Sequence, residues 1–198
     1  MIWPYRVIVS TCAVLIFASS GCIEPATGVD VIQPGTEPPG GLFGADGGMG
    51  SCGTADPSPL SKLHISVLTS AFGGRYRPRN VGAIWVETAA GAFVKTIDRW
   101  GASRARYIVK WQASSHANVV DAVTGATLQS HITHDRTWNL KDLTECEVPS
   151  GDYRIMMETT DYDGAGASTM IPFTKGQTPL TLTPADTTNF HSIKIELQ

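Results

Sequence analysis

Between residues 60 and 198 apolar and polar side chains alternate in short runs, separated by Gly, Pro, Asn and Asp. Ser192-Ile193-Lys194-Ile195-Glu196-Leu197 alternates without a break, which predicts a strand with one face buried and the other wet. In Asp152-Tyr153-Arg154-Ile155-Met156-Met157-Glu158 the same period places Tyr153, Ile155 and Met157 on one face. Residues 62–69, 80–87 and 92–98 read as further strands. The last two are predicted to pair as a hairpin through Thr88-Ala89-Ala90-Gly91, with Gly91 supplying a positive φ. Residues 102–112 differ, because Arg104, Tyr107, Ile108 and Trp111 recur at helical spacing, and a short helix is expected there. Many short strands with Gly and Pro punctuation and one helix predict a mainly β fold, an antiparallel β-sandwich of immunoglobulin-like type rather than a wound α/β sheet.

The first 59 residues have a different texture. Arg6 precedes the apolar run of residues 7–18, and the small residues Ser19-Ser20-Gly21 lead to Cys22. That order reads as an export signal over residues 1–21, since about a dozen apolar residues fall short of the roughly 20 needed to span a bilayer as a helix. Residues 22–59 are dense in Gly and Pro and poor in large apolar side chains, which predicts a flexible tether and puts the folded domain at residues 60–198. The whole chain carries 15 basic and 18 acidic residues. Losing the signal removes only one base, so the exported form stays acidic and no nucleic-acid partner is expected. Of the four cysteines, Cys12 lies in the signal and Cys22 at its end. Cys52 and Cys146 remain to pair as a disulfide in an oxidising compartment.

Three resemblances add to this reading. Ser19-Ser20-Gly21-Cys22 is similar to the lipobox of bacterial lipoproteins, which implies cleavage before Cys22, a diacylglycerol on its thiol and a membrane anchor. Ile23 is not the Asp that implies inner-membrane retention in lipoprotein sorting, so the implied home is the periplasmic face of an outer membrane. Trp138-Asn139-Leu140-Lys141-Asp142 followed by Val148-Pro149-Ser150-Gly151-Asp152-Tyr153 is similar to the Trp-Asp-Gly…Val-Pro-Asp-Gly-Thr-Tyr hairpin of flagellar hook-capping immunoglobulin-like domains. Glu145 stands where such domains often have a turn glycine, so a remodelled loop is expected. From about Leu60 to the C-terminus, stretches such as Arg77 to Glu87, Phe93-Val94-Lys95-Thr96 and Pro172-Phe173-Thr174-Lys175-Gly176 resemble a family of predicted periplasmic proteins of unknown function.

One segment points to chemistry. Asp121-Ala122-Val123-Thr124-Gly125-Ala126-Thr127 resembles the Asp-x-x-Ser/Thr-Gly-Ala-Thr motif of extracytoplasmic flavin-binding domains. There a flavin transferase attaches FMN to the last Thr through a phosphoester, so the resemblance implies covalent FMN on Thr127, with Asp121, Thr124, Gly125 and Ala126 around it. Gly125 and Ala126 are small enough for a second enzyme to approach the backbone. Arg75, Arg77, Arg79, Arg99, Arg104, Arg106 and Lys110 make the preceding region basic and could offset a phosphate. Equally, they could form an ordinary solvated face. Trp100, Trp111 and Trp138 could stack on a flavin ring or fill a core.

Other chemistry is poorly supported. His131 and His134, with Asp135 and His116, are a weak metal set, because two histidines three apart on a strand point to opposite faces. Asp161-Tyr162-Asp163-Gly164 resembles the start of a calcium loop, yet the twelfth position is Pro172, so a strand-connecting turn is expected. No acid, base and nucleophile converge, and no enzyme activity is expected. Two roles follow: a tethered FMN-bearing carrier passing electrons between membrane and periplasmic redox proteins, or a non-catalytic structural or interaction module at the cell envelope.

Overall fold

A computed structural model describes residues 52–53, 58–116 and 124–198. The signal, Cys22, most of the tether and Asp121 lie outside them. The described residues form nine strands in two sheets. The first sheet has the order β5 (Thr133–Trp138), β1 (Leu63–Thr69), β9 (Phe190–Leu197), β8 (Leu180–Leu182), all antiparallel. The second has the order β4 (Thr124–Gly125), β3 (Phe93–Trp100), β2 (Val81–Thr88), β6 (Gly151–Thr160), β7 (Ala167–Lys175). It is antiparallel except for β4, which runs parallel to β3 over two residues.

Alternation decides which face each strand buries. Leu63, Ile65 and Val67 of β1, and Ile193, Ile195 and Leu197 of β9, meet Ile84 and Val86 of β2 and Tyr153, Ile155 and Met157 of β6 in one core. This is a mainly β sandwich, as expected from the period-2 patterning. The hairpin β2–β3 closes through Thr88 and Ala92, with Gly91 at φ 93° where the turn requires the left-handed region. Tyr153 donates its hydroxyl hydrogen bond to the Pro149 carbonyl at 2.7 Å, tying the start of β6 back to the loop before it, as the tyrosine corner does in immunoglobulin-like sandwiches.

β2 is buried along both faces. Its outer residues Val81, Ala83 and Trp85 form a second cluster with Ile108 and Trp111. That cover is α1 (Val109–Ser115), preceded by a single 3-10 turn, Ala105–Tyr107. The expected helix over residues 102–112 is thus corrected: it starts later and ends later. The reason is Glu158 of β6, whose buried carboxylate accepts from the backbone N–H groups of Val109, Lys110 and Trp111 at 2.9–3.0 Å. Those are the orphan donors of a first helical turn, so the helix begins where their acceptor stands. His116 ends it with φ 51°. Burial raises the Glu158 carboxyl above the ordinary range, against the three N–H donors and Lys110.

Cys52 and Cys146 form a disulfide with Cα atoms 5.3 Å apart, as the cysteine count predicts. The loop before Cys146 keeps the backbone a turn glycine would adopt: Glu145 sits at φ 61°. Asp142 holds the turn by accepting from the Thr144 and Cys146 N–H groups, and the Glu145 carboxylate pairs with Lys95. The two ends of the Trp138–Tyr153 segment lie in different sheets, β5 in the first and β6 in the second. Only a short ladder within the connection, Lys141 opposite Glu147, is hairpin-like.

Candidate functional site

The segment that contains Thr127 is fastened from two sides. On one, Thr124 and Gly125 pair in parallel with Arg99 and Trp100, and the Gly101 N–H donates to the Gly125 carbonyl at 3.0 Å. On the other, Leu128 forms an isolated antiparallel bridge with Asn80. Asn80 is fully buried, and its carboxamide oxygen accepts from Trp100 Nε1 at 2.7 Å. Four residues, Arg99, Trp100, Gly101 and Asn80, therefore hold the backbone at Thr124, Gly125 and Leu128 between the end of β3 and the start of β2. Gly125 and Ala126 are exposed and Thr127 is half-buried. The turn is therefore held at both ends, with two small exposed residues beside a threonine that keeps part of its surface in solvent.

The three tryptophans are not available to a flavin ring. Trp100, Trp111 and Trp138 are all buried. Trp100 stacks on His134 at 3.9 Å between centroids. Trp111 donates to Thr96 Oγ1 at 2.9 Å, and Trp138 to the Lys141 carbonyl at 2.7 Å. Packing wins because an indole offers the largest apolar area a small core can bury, and each N–H found an acceptor.

The basic cluster divides into two kinds of arginine. Arg75 is paired with Asp163, and Arg104 lies 3.7 Å over the Tyr76 ring, donating to the Tyr162 carbonyl. Arg106 rests against Tyr107, and Arg77 and Arg79 are exposed. Arg99 is different: it is only 9% exposed, its guanidinium lies 5.3 Å from the Trp111 ring, and its Nε has no hydrogen-bond partner. Among the described residues no carboxylate pairs with it.

The histidines are separated by the fold. His134 is buried with Nδ1 3.2 Å from Asp98, which a register shift in β3 turns onto the same inner face as Ile84. Arg136 Nε lies 2.9 Å from the same Asp98 oxygen. His131 precedes β5 and contacts Thr69 Oγ1 at 3.1 Å, while Asp135 meets His64 at the surface. Among the described residues, no group of three His, Cys, Asp or Glu is placed to hold a metal. Asp161 and Asp163 lie in the turn between β6 and β7, where Asp161 accepts from the Gly74 N–H at 2.8 Å. A cleft of about 470 Å³ beside Arg154, Met170 and Pro172 lies on β6 and β7, on strands other than those that hold Thr127.

A model of the family described as predicted periplasmic protein (DUF2271) matches residues 65–188. The chain belongs to this family. The match runs from β1 to the loop before β9 and takes in the Thr127 segment. The assignment places the domain outside the cytoplasm and leaves its function open. No curated protein and no solved structure matches the chain. Among the described residues no helix is long and apolar enough to cross a membrane.

The sequence pointed to the Thr127 segment but not to Asn80 as its second clamp. Nothing local marks that asparagine, which acts through a bridge 48 positions along the chain.

Proposed function

We propose that this periplasmic domain is a carrier of covalently bound FMN, attached at Thr127 and tethered to the membrane through a lipid on Cys22. The observation that carries the reading is the two-sided backbone clamp on residues 124–128, which presents Thr127 beside exposed Gly125 and Ala126. Chemically, a hydroxyl becomes a phosphoester only with an activated donor, which a flavin dinucleotide supplies. The Thr127 oxygen attacks the flavin-side phosphorus, the pyrophosphate P–O bond breaks, nucleoside monophosphate leaves, and the hydroxyl proton passes to a base of the transferase. The bound flavin would supply one- or two-electron transfer. This chain would supply the rigid attachment point and a location within reach of membrane and periplasmic redox partners, without turnover of its own.

Intact mass of the protein exported alongside a flavin transferase tests this. The expected result is one FMN per chain, mapped to the peptide containing Thr127 and lost in Thr127→Ala. A colourless, unmodified protein in that host sinks the carrier reading and leaves the interaction module. Metabolic labelling with palmitate, lost in Cys22→Ser, tests the anchor.

A further inference from the structure

One end of the sandwich carries a cationic face that the carrier reading does not use. The loop from β1 to β2 meets the turn from β6 to β7 there. Fully buried Asp161 joins them: its carboxylate accepts from the Gly73 and Gly74 N–H groups at 3.3 and 2.8 Å, and its carbonyl accepts from the Tyr76 N–H. Those bonds hold the loop bearing Arg75, Arg77 and Arg79 against the turn bearing Tyr162 and Asp163. The 3-10 turn completes the face. Arg104 lies 3.7 Å over the Tyr76 ring and 5.5 Å from the Tyr107 ring, and Arg106 lies 4.9 Å from the Tyr107 ring. Arg75 and Arg104 share one carboxylate, Asp163, so this ladder of rings and guanidiniums stays cationic although the whole chain is acidic. Stacking on rings pre-organises the guanidiniums, so less freedom is lost when they bind an anion.

Apolar surface stands beside the ladder. Phe72 precedes Gly73 and Tyr162 follows Asp161, so the same bonds bring both rings to this end, where they are 46% and 50% exposed. Exposed rings on loops beside cations suit a bilayer surface, where rings settle at headgroup depth and arginines meet anionic headgroups. A protein partner is held mainly by anchors in well-packed, desolvated pockets, which exposed rings on loops do not offer. The chain enters the domain at the other end of β6 and β7, where Cys52 bonds to Cys146 and Ser58 donates to the Gly176 carbonyl. A lipid on Cys22 would not keep the cationic end from the membrane. About 30 positions separate Cys22 from Cys52, a contour of about 100 Å against about 26 Å for a strand as long as β2.

We infer that the arginine ladder and the rings of Phe72 and Tyr162 form a docking surface for an anionic lipid bilayer, which lays this end of the domain on the headgroups. The inference rests on neither the flavin nor the lipid on Cys22.

Amide exchange of the exported protein tests it, with excess vesicles of phosphatidylcholine or of phosphatidylcholine mixed with phosphatidylglycerol. Exchange of the hydrogen-bonded amides of Gly74, Tyr76, Arg79 and Tyr162 should slow by about threefold or more on the anionic vesicles alone. High salt should abolish the slowing. Replacing Arg77, Arg79 and Arg106 together by Gln should abolish it as well, whereas Lys62→Gln with Lys194→Gln, on β9 and before β1, should keep it. Equal exchange on the two kinds of vesicle overturns the inference, and that comparison needs no variant to fold. Slowing that survives salt or the triple variant also overturns it. Soluble poly-glutamate that slows the same amides as much assigns the face to an acidic protein partner and overturns the bilayer. A chain without lipid on Cys22 removes the anchor, while the vesicle comparison still decides this surface.

Discussion

Asn80 and Leu128 exchange both backbone hydrogen bonds, at 3.0 and 3.1 Å, across 48 positions of sequence. The side chain of the same asparagine accepts from Trp100, so one buried residue joins the end of β3 through its carboxamide and the acceptor segment through its backbone. Asn80→Ala leaves the buried Trp100 N–H without its acceptor and should cost about 1–3 kcal/mol. Hydrogen exchange should show the Leu128 amide opening faster. Unchanged protection at Leu128 would mean that the bridge stands without the Asn80 side chain.

Gly82 tests the packing beneath the same tryptophan. A Cβ there would stand 2.3 Å from the Trp100 ring and 2.4 Å from the Glu158 carbonyl oxygen. Neither the indole nor the strand backbone can retreat without disturbing the core. Gly82→Ala should destabilise by about 2 kcal/mol or more, read by urea denaturation. A change below 0.5 kcal/mol, roughly the scatter of surface substitutions, would contradict this packing.

The disulfide spans 94 positions, and closing a loop of that length in the unfolded chain is worth about 4–5 kcal/mol in the chain-entropy model. Paired substitution of Cys52 and Cys146 by Ser should lower the midpoint of unfolding, and reductant should do the same to the wild type only. Equal midpoints with and without reductant would show that the bond adds nothing.

Lys175 and Glu147 form an asymmetric pair, 3.0 Å apart, with the lysine side chain fully buried and the glutamate partly exposed. Removing the charge at the buried end and removing it at the exposed end should therefore differ. Lys175→Met should stay within about 1 kcal/mol of wild type, whereas Glu147→Gln strands a buried ammonium and should cost about 2 kcal/mol, reduced from a fully buried case by solvent at Glu147. Equal losses from both variants would remove the argument.

Burial holds the His131 imidazole below the ordinary histidine range; Asp161 opposes this and His134 adds to it. The unfolded chain then takes up a proton at higher pH than the folded one. Stability from this group is present above about pH 6.5 and is lost as pH falls through the depressed folded value. His131→Gln should flatten the loss between pH 7 and pH 5 in chemical denaturation, and identical slopes would show no contribution.

Much of the fold was legible because burial in a sandwich is written at period 2: Ile193, Ile195 and Leu197, or Tyr153, Ile155 and Met157, show their faces in any window of seven residues. The helix was misplaced because its first turn depends on Glu158, which lies about 50 positions away and carries no local signal of capping. The tryptophans could not be assigned in advance, since indole area suits a core and a ring-stacking site equally well.

The chain by itself determined which residues alternate, which two cysteines could pair, and that a Thr-Gly-Ala-Thr turn interrupts the strands. The tertiary structure decided that Asn80 clamps this turn, that the nearby tryptophans are spent in packing, and that Arg99 stands beside it without a carboxylate among the described residues. The division has one physical cause. Strand faces follow from local stereochemistry, whereas the partner of a buried polar group is chosen by whichever distant segment the closed sheets bring against it.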